Sequence, residues 1–561
     1  MIRKCWILLS LQLVASVCAL AQPNADLIIH GGTIHTMDAT QAAVEVVVVG
    51  DGRILYAGSD AGSDTWREGA KQVIDLSGKT MVPGLIESHG HLISLGYSKL
   101  SLDLSDTSSY QELIDRVAVA ARRAKPGEWI LGRGWHQSKW TPQPTPMVGG
   151  FQTHTKMSAV SPDNPVLLVH ASGHAAIANE RAMQIADISL RSEFGEGGEI
   201  IKDANGNPTG IFNEVAQGLI GRHIPRNTPE SDREALKIAL REIAAYGITS
   251  FHDAGSARGS IEAYRSLLAQ DELTARLWVM VSGRDPGLVE EWLERGPEIG
   301  TGNHFLTIRA IKLVADGALG SRGAWLLRPY SDRPDHYGHA TVPMATILDV
   351  SQRALQAGLQ VCVHAIGDRA NREVLDRYEQ AFGGERRSVR FRIEHAQHLS
   401  VEDIPRFGEL GVIASMQGIH MSSDRPWAID RLGRERIEEG AYVWRKLQQT
   451  GAIVINGTDV PVEPVNPIAS FYALVTRKTL AGTPAGGYEP DQKMTRKQAL
   501  RSYTLDAAFA AFEEHEKGSI EVGKLADFTV LSNDLLKVPE ELILRTRVEM
   551  TIGGGTTVYS R

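Results

Sequence analysis

The sequence predicts an α/β protein: a (β/α)8 TIM barrel, a small β-sandwich formed by the N- and C-terminal segments, and an insertion after the first barrel strand. Three observations carry that expectation. Eight short apolar runs, at 81–88, 247–252, 275–280, 306–314, 359–364, 389–395, 411–416 and 452–456, read as strands. Between most of them lie segments with helical spacing, such as 232–246, 371–382 and 401–410, and strands alternating with helices make a parallel barrel. Both ends of the chain are β-rich outside this repeat.

In chain order, the first object is residues 1–21. Arg3 and Lys4 precede an apolar run over 5–20 that ends in Ala19-Leu20-Ala21. A short basic region, a short apolar core and an A-x-A site describe a signal peptide, so export to the periplasm or outside the cell is expected, with cleavage after Ala21. The run is too short to span a bilayer comfortably, so the mature form has no membrane partner. Val17 is larger than the residue a lipoprotein site usually has before its cysteine, which argues against lipidation of Cys18. With Cys5 and Cys18 lost, only Cys362 stays, and no internal disulfide can form.

Next come apolar runs at 27–34, 45–49 and 53–58, the last two joined by the hairpin signal Asp51-Gly52. The C-terminal runs 523–531 and 549–559 have the same texture. Neither end holds enough strands for a stable sheet alone, so residues 22–80 and 515–561 are expected to form one composite sandwich beside a barrel spanning 81–514. The gap between the first two barrel strands is too long for one strand-to-helix unit, which places an insertion at about 97–230. An excursion there sits over the mouth of the barrel as a lid and specificity element. A net charge of −8 without a basic cluster argues against nucleic acid as a partner. Hydrophobic content of 42% with 22% charged residues is that of a globular chain, and nothing in it decides for or against a homo-oligomer.

Barrel enzymes collect their active sites at the C-terminal ends of the strands. The first strand stops at His89-Gly90-His91, and residues two apart on a strand share a face, so both imidazoles point one way. Strand five ends at His364, strand six at His395, and strand eight runs into Gly457-Thr458-Asp459. Lys312 lies on strand four. Imidazole and carboxylate bind Zn2+ or a similar divalent ion, and two ions need a bridging anion between them. A lysine buried beside such ions is neutral enough to capture CO2 as a carbamate, which supplies that bridge. The competing reading of Lys312 is an ion pair with an acid such as Asp316.

The motifs PGLIESHGH, GRGWHQSKW, IKLVADGALGSR, VHAIGDRAN, RIEHAQHL, NGTDVPVEP and GSIEVGKLADFTVL occur in that order. With them the chain, from Leu27 to Tyr559, resembles the amidohydrolase superfamily, in its amidohydrolase family 3 branch of YtcJ-like and N-substituted formamide deformylase-like proteins. The resemblance implies a barrel with a terminal β-sandwich. His89 and His91 would hold a buried metal, Lys312 would be the bridging carbamate, and His364 and His395 would hold a second metal. Asp459 would ligate and shuttle the catalytic proton. The chain departs from the pattern at Glu87, where Asp is usual, at His136, where Asp often follows the Trp, and at Thr458, where Ser is common.

Around these, Trp135 is expected to wall the pocket, and His174 is similar to a substrate-contacting histidine of the family. His398 is expected to be a hydrogen-bonding neighbour, and His420 and Asp424 to face the same mouth. Cys362 is expected to be a buried thiol, and Asp253 either a loop cap or a ligand. The expected reaction is hydrolysis of a C–N bond in a small amide by metal-activated hydroxide, with two zinc or similar ions and carboxylated Lys312 as cofactors. Alternatives on the same scaffold are a mononuclear deaminase or a cyclic-imide hydrolase. A non-catalytic periplasmic binding protein would lack ligands, and none of the six is missing. No G-x-S-x-G occurs, which disfavours a serine hydrolase.

Overall fold

A computed structural model describes residues 25–137, 140–170, 175–193, 198–225, 227–320, 322–383 and 389–561. The signal-peptide segment and His174 lie outside them.

Eight parallel strands form the barrel: Leu85–Gly90, Ile248–Ser256, Arg276–Ser282, Leu306–Val314, Gln360–Ala365, Arg392–His395, Ile413–Met416 and Val454–Asn456. Each is hydrogen-bonded to the next in chain order. They are buried on both faces, which is why they read as near-continuous apolar runs rather than as alternating ones. The seam between the eighth and first strands is drawn together just beyond the ladder, where Asp459 N–H donates to His89 O at 2.8 Å and His91 N–H to Val460 O at 2.7 Å. Helices pack outside. The longest early one, Pro229–Ala245, starts at a Thr228 capping box with proline in its first turn, and buries Leu236, Leu240 and Ile243 at helical spacing.

The first expected strand, 81–88, divides at Gly84. Thr80–Pro83 joins the terminal sheet and Leu85–Gly90 joins the barrel. A Cβ at Gly84 would lie 2.1 Å from Thr249 Oγ1, so the chain passes between the two sheets only because that residue has none. The terminal segments meet in one eight-stranded sheet, with Phe528–Leu531 antiparallel to Thr80–Pro83. Strand Leu27–His35 pairs with Gln72–Asp75 over its first half and with Thr80–Pro83 over its second, so the sheet forks there. Its core gathers Ile29, Val47, Val49, Phe528 and Ile552 from both ends of the chain.

The insertion is a layer of its own, a six-stranded sheet running from Leu102–Asp103 to Gly198–Lys202. Helix Tyr110–Arg123 covers it, and Leu113, Trp140, Leu168 and Ile211 fill its core. Trp135 corrects an expectation. Its side chain is fully buried in this core, with the indole N–H donating to Leu168 O at 2.8 Å, so it supports the insertion and walls no substrate pocket. Among the described residues no helix is long and apolar enough to cross a membrane.

Candidate metal centre

The barrel rim brings together residues that are hundreds of positions apart. His89, 1% exposed, and His91, whose side chain is 36% exposed, present their Nε2 atoms to Asp459 Oδ1 at 3.6 and 3.2 Å. One ligand atom from each of these three lies within 4.8 Å of the others. The His395 ring stands 4.9 Å from that of His89 and 4.5 Å from that of His364. Lys312 is buried one strand over from His364, in register with Cys362.

Two of the side chains that would hold metal leave buried atoms without an aligned hydrogen bond. These are Asp459 Oδ1 and His364 Nε2, and His420 Nε2 nearby is in the same condition. Buried polar atoms are rarely left so; Asp459 Oδ1 belongs to the trio whose ligand atoms gather within 4.8 Å, while His364 Nε2 lies 3.5 Å from Asp316 Oδ1. Burial holds the imidazoles neutral: it lowers His89, pushes His364 down to about 3, and takes His395 well below its ordinary range. A neutral imidazole is the ligating form. The trio His89, His91 and Asp459 therefore fits a divalent ion, with the His364 and His395 rings alongside.

Backbone and outer contacts fix these groups. His395, Ala396 and Asp459 have φ of +75°, +42° and +59°. Non-glycine residues in that region store about 1–3 kcal/mol each and persist where the surroundings over-determine them, typically at functional sites. His395 Nδ1 pairs with Gln417 Oε1 at 2.7 Å, which leaves Nε2 for the centre.

Beneath His89 lies a buried charge network that sequence reading missed. Its Nδ1 contacts Glu394 Oε2 at 2.5 Å, and Glu394 is ion-paired to Arg392 at 2.7 Å, all three being essentially inaccessible. Arg392 also donates to Ser88 O at 2.6 Å and Ser415 Oγ at 3.0 Å, tying strands one, six and seven. The signal was present: opposite charges two apart in an apolar barrel strand must share a face, here the interior. Burial pushes the Glu394 carboxyl up, but the charge of Arg392 and the hydrogen bond with His89 outweigh it and hold it ionised. In Glu394→Gln, the Arg392 cation stays buried without its anion, which destabilises by about 3–5 kcal/mol. His89 also loses its orienting partner, and metal affinity falls about 10- to 100-fold. Thermal melts and a metal titration check the two parts separately.

The competing reading, a Lys312–Asp316 ion pair, is not what the structure shows. Asp316 is fully buried, and its carboxylate accepts N–H groups from Trp325 at 2.8 Å, Ile366 at 3.0 Å and Gly367 at 2.8 Å. Burial pushes it up to about 7. Asp316 thus clamps the loops after strands four and five. Burial lowers the Lys312 amine against the pull of Glu394 and Asp459, the condition a carbamate requires.

His420 lies in the first turn of helix Gly418–Gly440 after strand seven, and its ring lies nearly parallel to that of His395 at 6.1 Å. Asp424 follows one turn later, is pushed up to about 6 by burial, and accepts from the Tyr442 hydroxyl at 3.5 Å. His398 corrects another expectation. It faces Asp368 at 3.4 Å and lines a cavity of about 330 Å3 with Arg372 and Arg436, and none of the metal-ligand candidates lines that cavity. Asp253 is a cap: it accepts the Leu92 N–H at 2.7 Å and the Tyr264 hydroxyl at 2.8 Å. Cys362 is a buried thiol pushed up by desolvation.

A nearly closed parallel barrel with histidines, a lysine and an aspartate on its C-terminal rim defines an α/β-barrel protein with a candidate metal centre. The chain belongs to the amidohydrolase family, whose model matches residues 72–559. It is 32% identical to the putative amidohydrolase YtcJ of Bacillus subtilis, over 95% of this chain and 99% of the relative. It is 28% identical to the N-substituted formamide deformylase of Arthrobacter pascens, over 96% and 98%. Among solved structures, an uncharacterized metal-dependent hydrolase of Pyrococcus horikoshii superposes with a TM-score of 0.77 at 28% identity, covering 92% of this chain and 99% of that one.

Proposed function

We propose that this protein is an exported, metal-dependent hydrolase that cleaves a C–N bond in a small amide. One observation carries the reading: His89, His91 and Asp459 offer ligand atoms within 4.8 Å of one another, with the His364 and His395 rings alongside. The similarity to a formamide deformylase and to a metal-dependent hydrolase supports it.

His89, His91 and Asp459 would hold one divalent ion, zinc being the ion that suits this donor set. His364 and His395 would hold a second, with Lys312 between the two as a carbamate. Bound divalent ions supply acidified water and a polarised carbonyl at neutral pH. Asp459 takes the proton as water oxygen adds to the carbonyl carbon, and returns it to the nitrogen as the C–N bond breaks. His420 and Asp424, on the same rim, would contact the substrate. The buried Arg392–Glu394–His89 chain keeps the His89 ring oriented throughout.

The trio His89, His91 and Asp459 is by itself a set for one ion. That favours a mononuclear deaminase or cyclic-imide hydrolase as the second reading, with Lys312 left as an amine. A panel of N-formyl, N-acyl and cyclic amides assayed with the purified protein tests the reaction class. Release of amine from an open-chain amide is expected; turnover confined to cyclic imides or aminoheterocycles would move the assignment to the second reading. For export, N-terminal sequencing of the protein from a periplasmic extract should begin at Gln22. An intact Met1 on protein confined to the cytosol would remove that part.

A further inference from the structure

We propose that Glu87 and Thr458 act as one positioning unit that sets the spacing between the histidines of the first barrel strand and Asp459. The inference rests on the metal-centre reading above.

Glu87, fully buried, stands two residues before His89. Its Oε1 accepts the Thr458 N–H at 2.7 Å and the His89 N–H at 3.2 Å, and its Oε2 accepts the Thr458 hydroxyl at 3.0 Å. Thr458, also fully buried, immediately precedes Asp459. One carboxyl group thus grips the chain next to each half of the ligand trio. The place matters, because the path of sheet pairing ends at these two strands: the first pairs onward with the second, the eighth with the seventh. Across the seam, the backbone contributes the Asp459-to-His89 and His91-to-Val460 hydrogen bonds. Asp459 meanwhile sits at φ +59°, a conformation its neighbours must impose.

The space is fitted to this acid. A Cβ at residue 457 would lie 2.2 Å from Glu87 Oε1, so the glycine there leaves room for the long side chain. Aspartate is one methylene shorter and cannot reach the Thr458 hydroxyl unless the strands move. Glutamine has the same reach, and the threonine hydroxyl can turn to accept from its amide.

The test is Zn2+ affinity of metal-stripped protein, measured by competition with a chromophoric chelator, alongside apo-state thermal melts. Glu87→Asp is expected to bind zinc at least about tenfold more weakly, Glu87→Gln within about threefold of the natural protein, and Thr458→Val several-fold more weakly. The Glu87→Asp/Thr458→Val double variant should bind no more weakly than Glu87→Asp alone, because both changes break one unit. Wild-type affinity in Glu87→Asp, or effects of the two single changes that multiply, would overturn the proposal. Should Glu87→Asp fail to fold, Glu87→Gln and Thr458→Val decide: wild-type affinity in Thr458→Val, or a tenfold loss in Glu87→Gln, would sink it. A natural protein that binds no zinc would remove the metal-centre reading itself, an outcome visible before any variant is compared.

Discussion

Asp459→Asn is expected to keep most of the bound metal and to lose about three orders of magnitude or more in turnover, the scale of a positioned acid–base group. Asparagine keeps a carbonyl oxygen where Oδ1 now sits, 3.2 Å from His91 Nε2 and 3.6 Å from His89 Nε2. It cannot accept a proton. Burial pushes the Asp459 carboxyl up, yet the contact with His91 and the neighbouring imidazoles outweigh it and hold it well below the usual carboxylate range. It is therefore an anion at neutral pH, ready to take a proton once water is acidified beside it. Metal content and kcat measured on the same preparation check this, and unchanged turnover would remove the assigned role.

The second large effect is at Lys312. Lys312→Met preserves volume in a buried site and removes the amine, so metal content should fall from about two ions toward one, with kcat lower by at least about a hundredfold. The chemistry is addition of the neutral amine to CO2, forming an N–C bond and releasing one proton. Desolvation shifts Lys312 toward the neutral amine, and the acid nearest in sequence, Asp316, is occupied by three backbone N–H groups. Reconstitution with 13C-bicarbonate should add a protein-bound carbonyl resonance in the natural chain and none in Lys312→Met. Two full equivalents of metal in the variant would exclude a bridging lysine.

Much of this architecture was readable in the chain. Strands buried on both faces leave continuous apolar runs, and the barrel rule then places His89, His91, His364, His395 and Asp459 on one rim from their positions at strand ends. What escaped were contacts that depend on the third dimension. Trp135 reads as a pocket wall because a tryptophan offers area and one donor, but the insertion has a core of its own and claims the ring. His398 follows His395 by three, and the turn after a strand with φ of +75° and +42° sends it to a different cavity. Asp316 reads as the lysine's competing counter-ion by proximity in sequence, whereas the loops after two strands converge on its oxygens. Glu87 and Thr458 looked like separate mild departures from a family pattern; 371 residues apart, they touch.

The central claim is that the rim cages divalent ions, and metal analysis of the purified, chelator-dialysed and then zinc-reconstituted protein tests it most directly. The expected result is near two ions per chain, falling below one in a His89→Ala/His395→Ala double variant that still melts cooperatively. Substoichiometric metal in the natural chain, with amide hydrolysis undiminished after chelation, would contradict it.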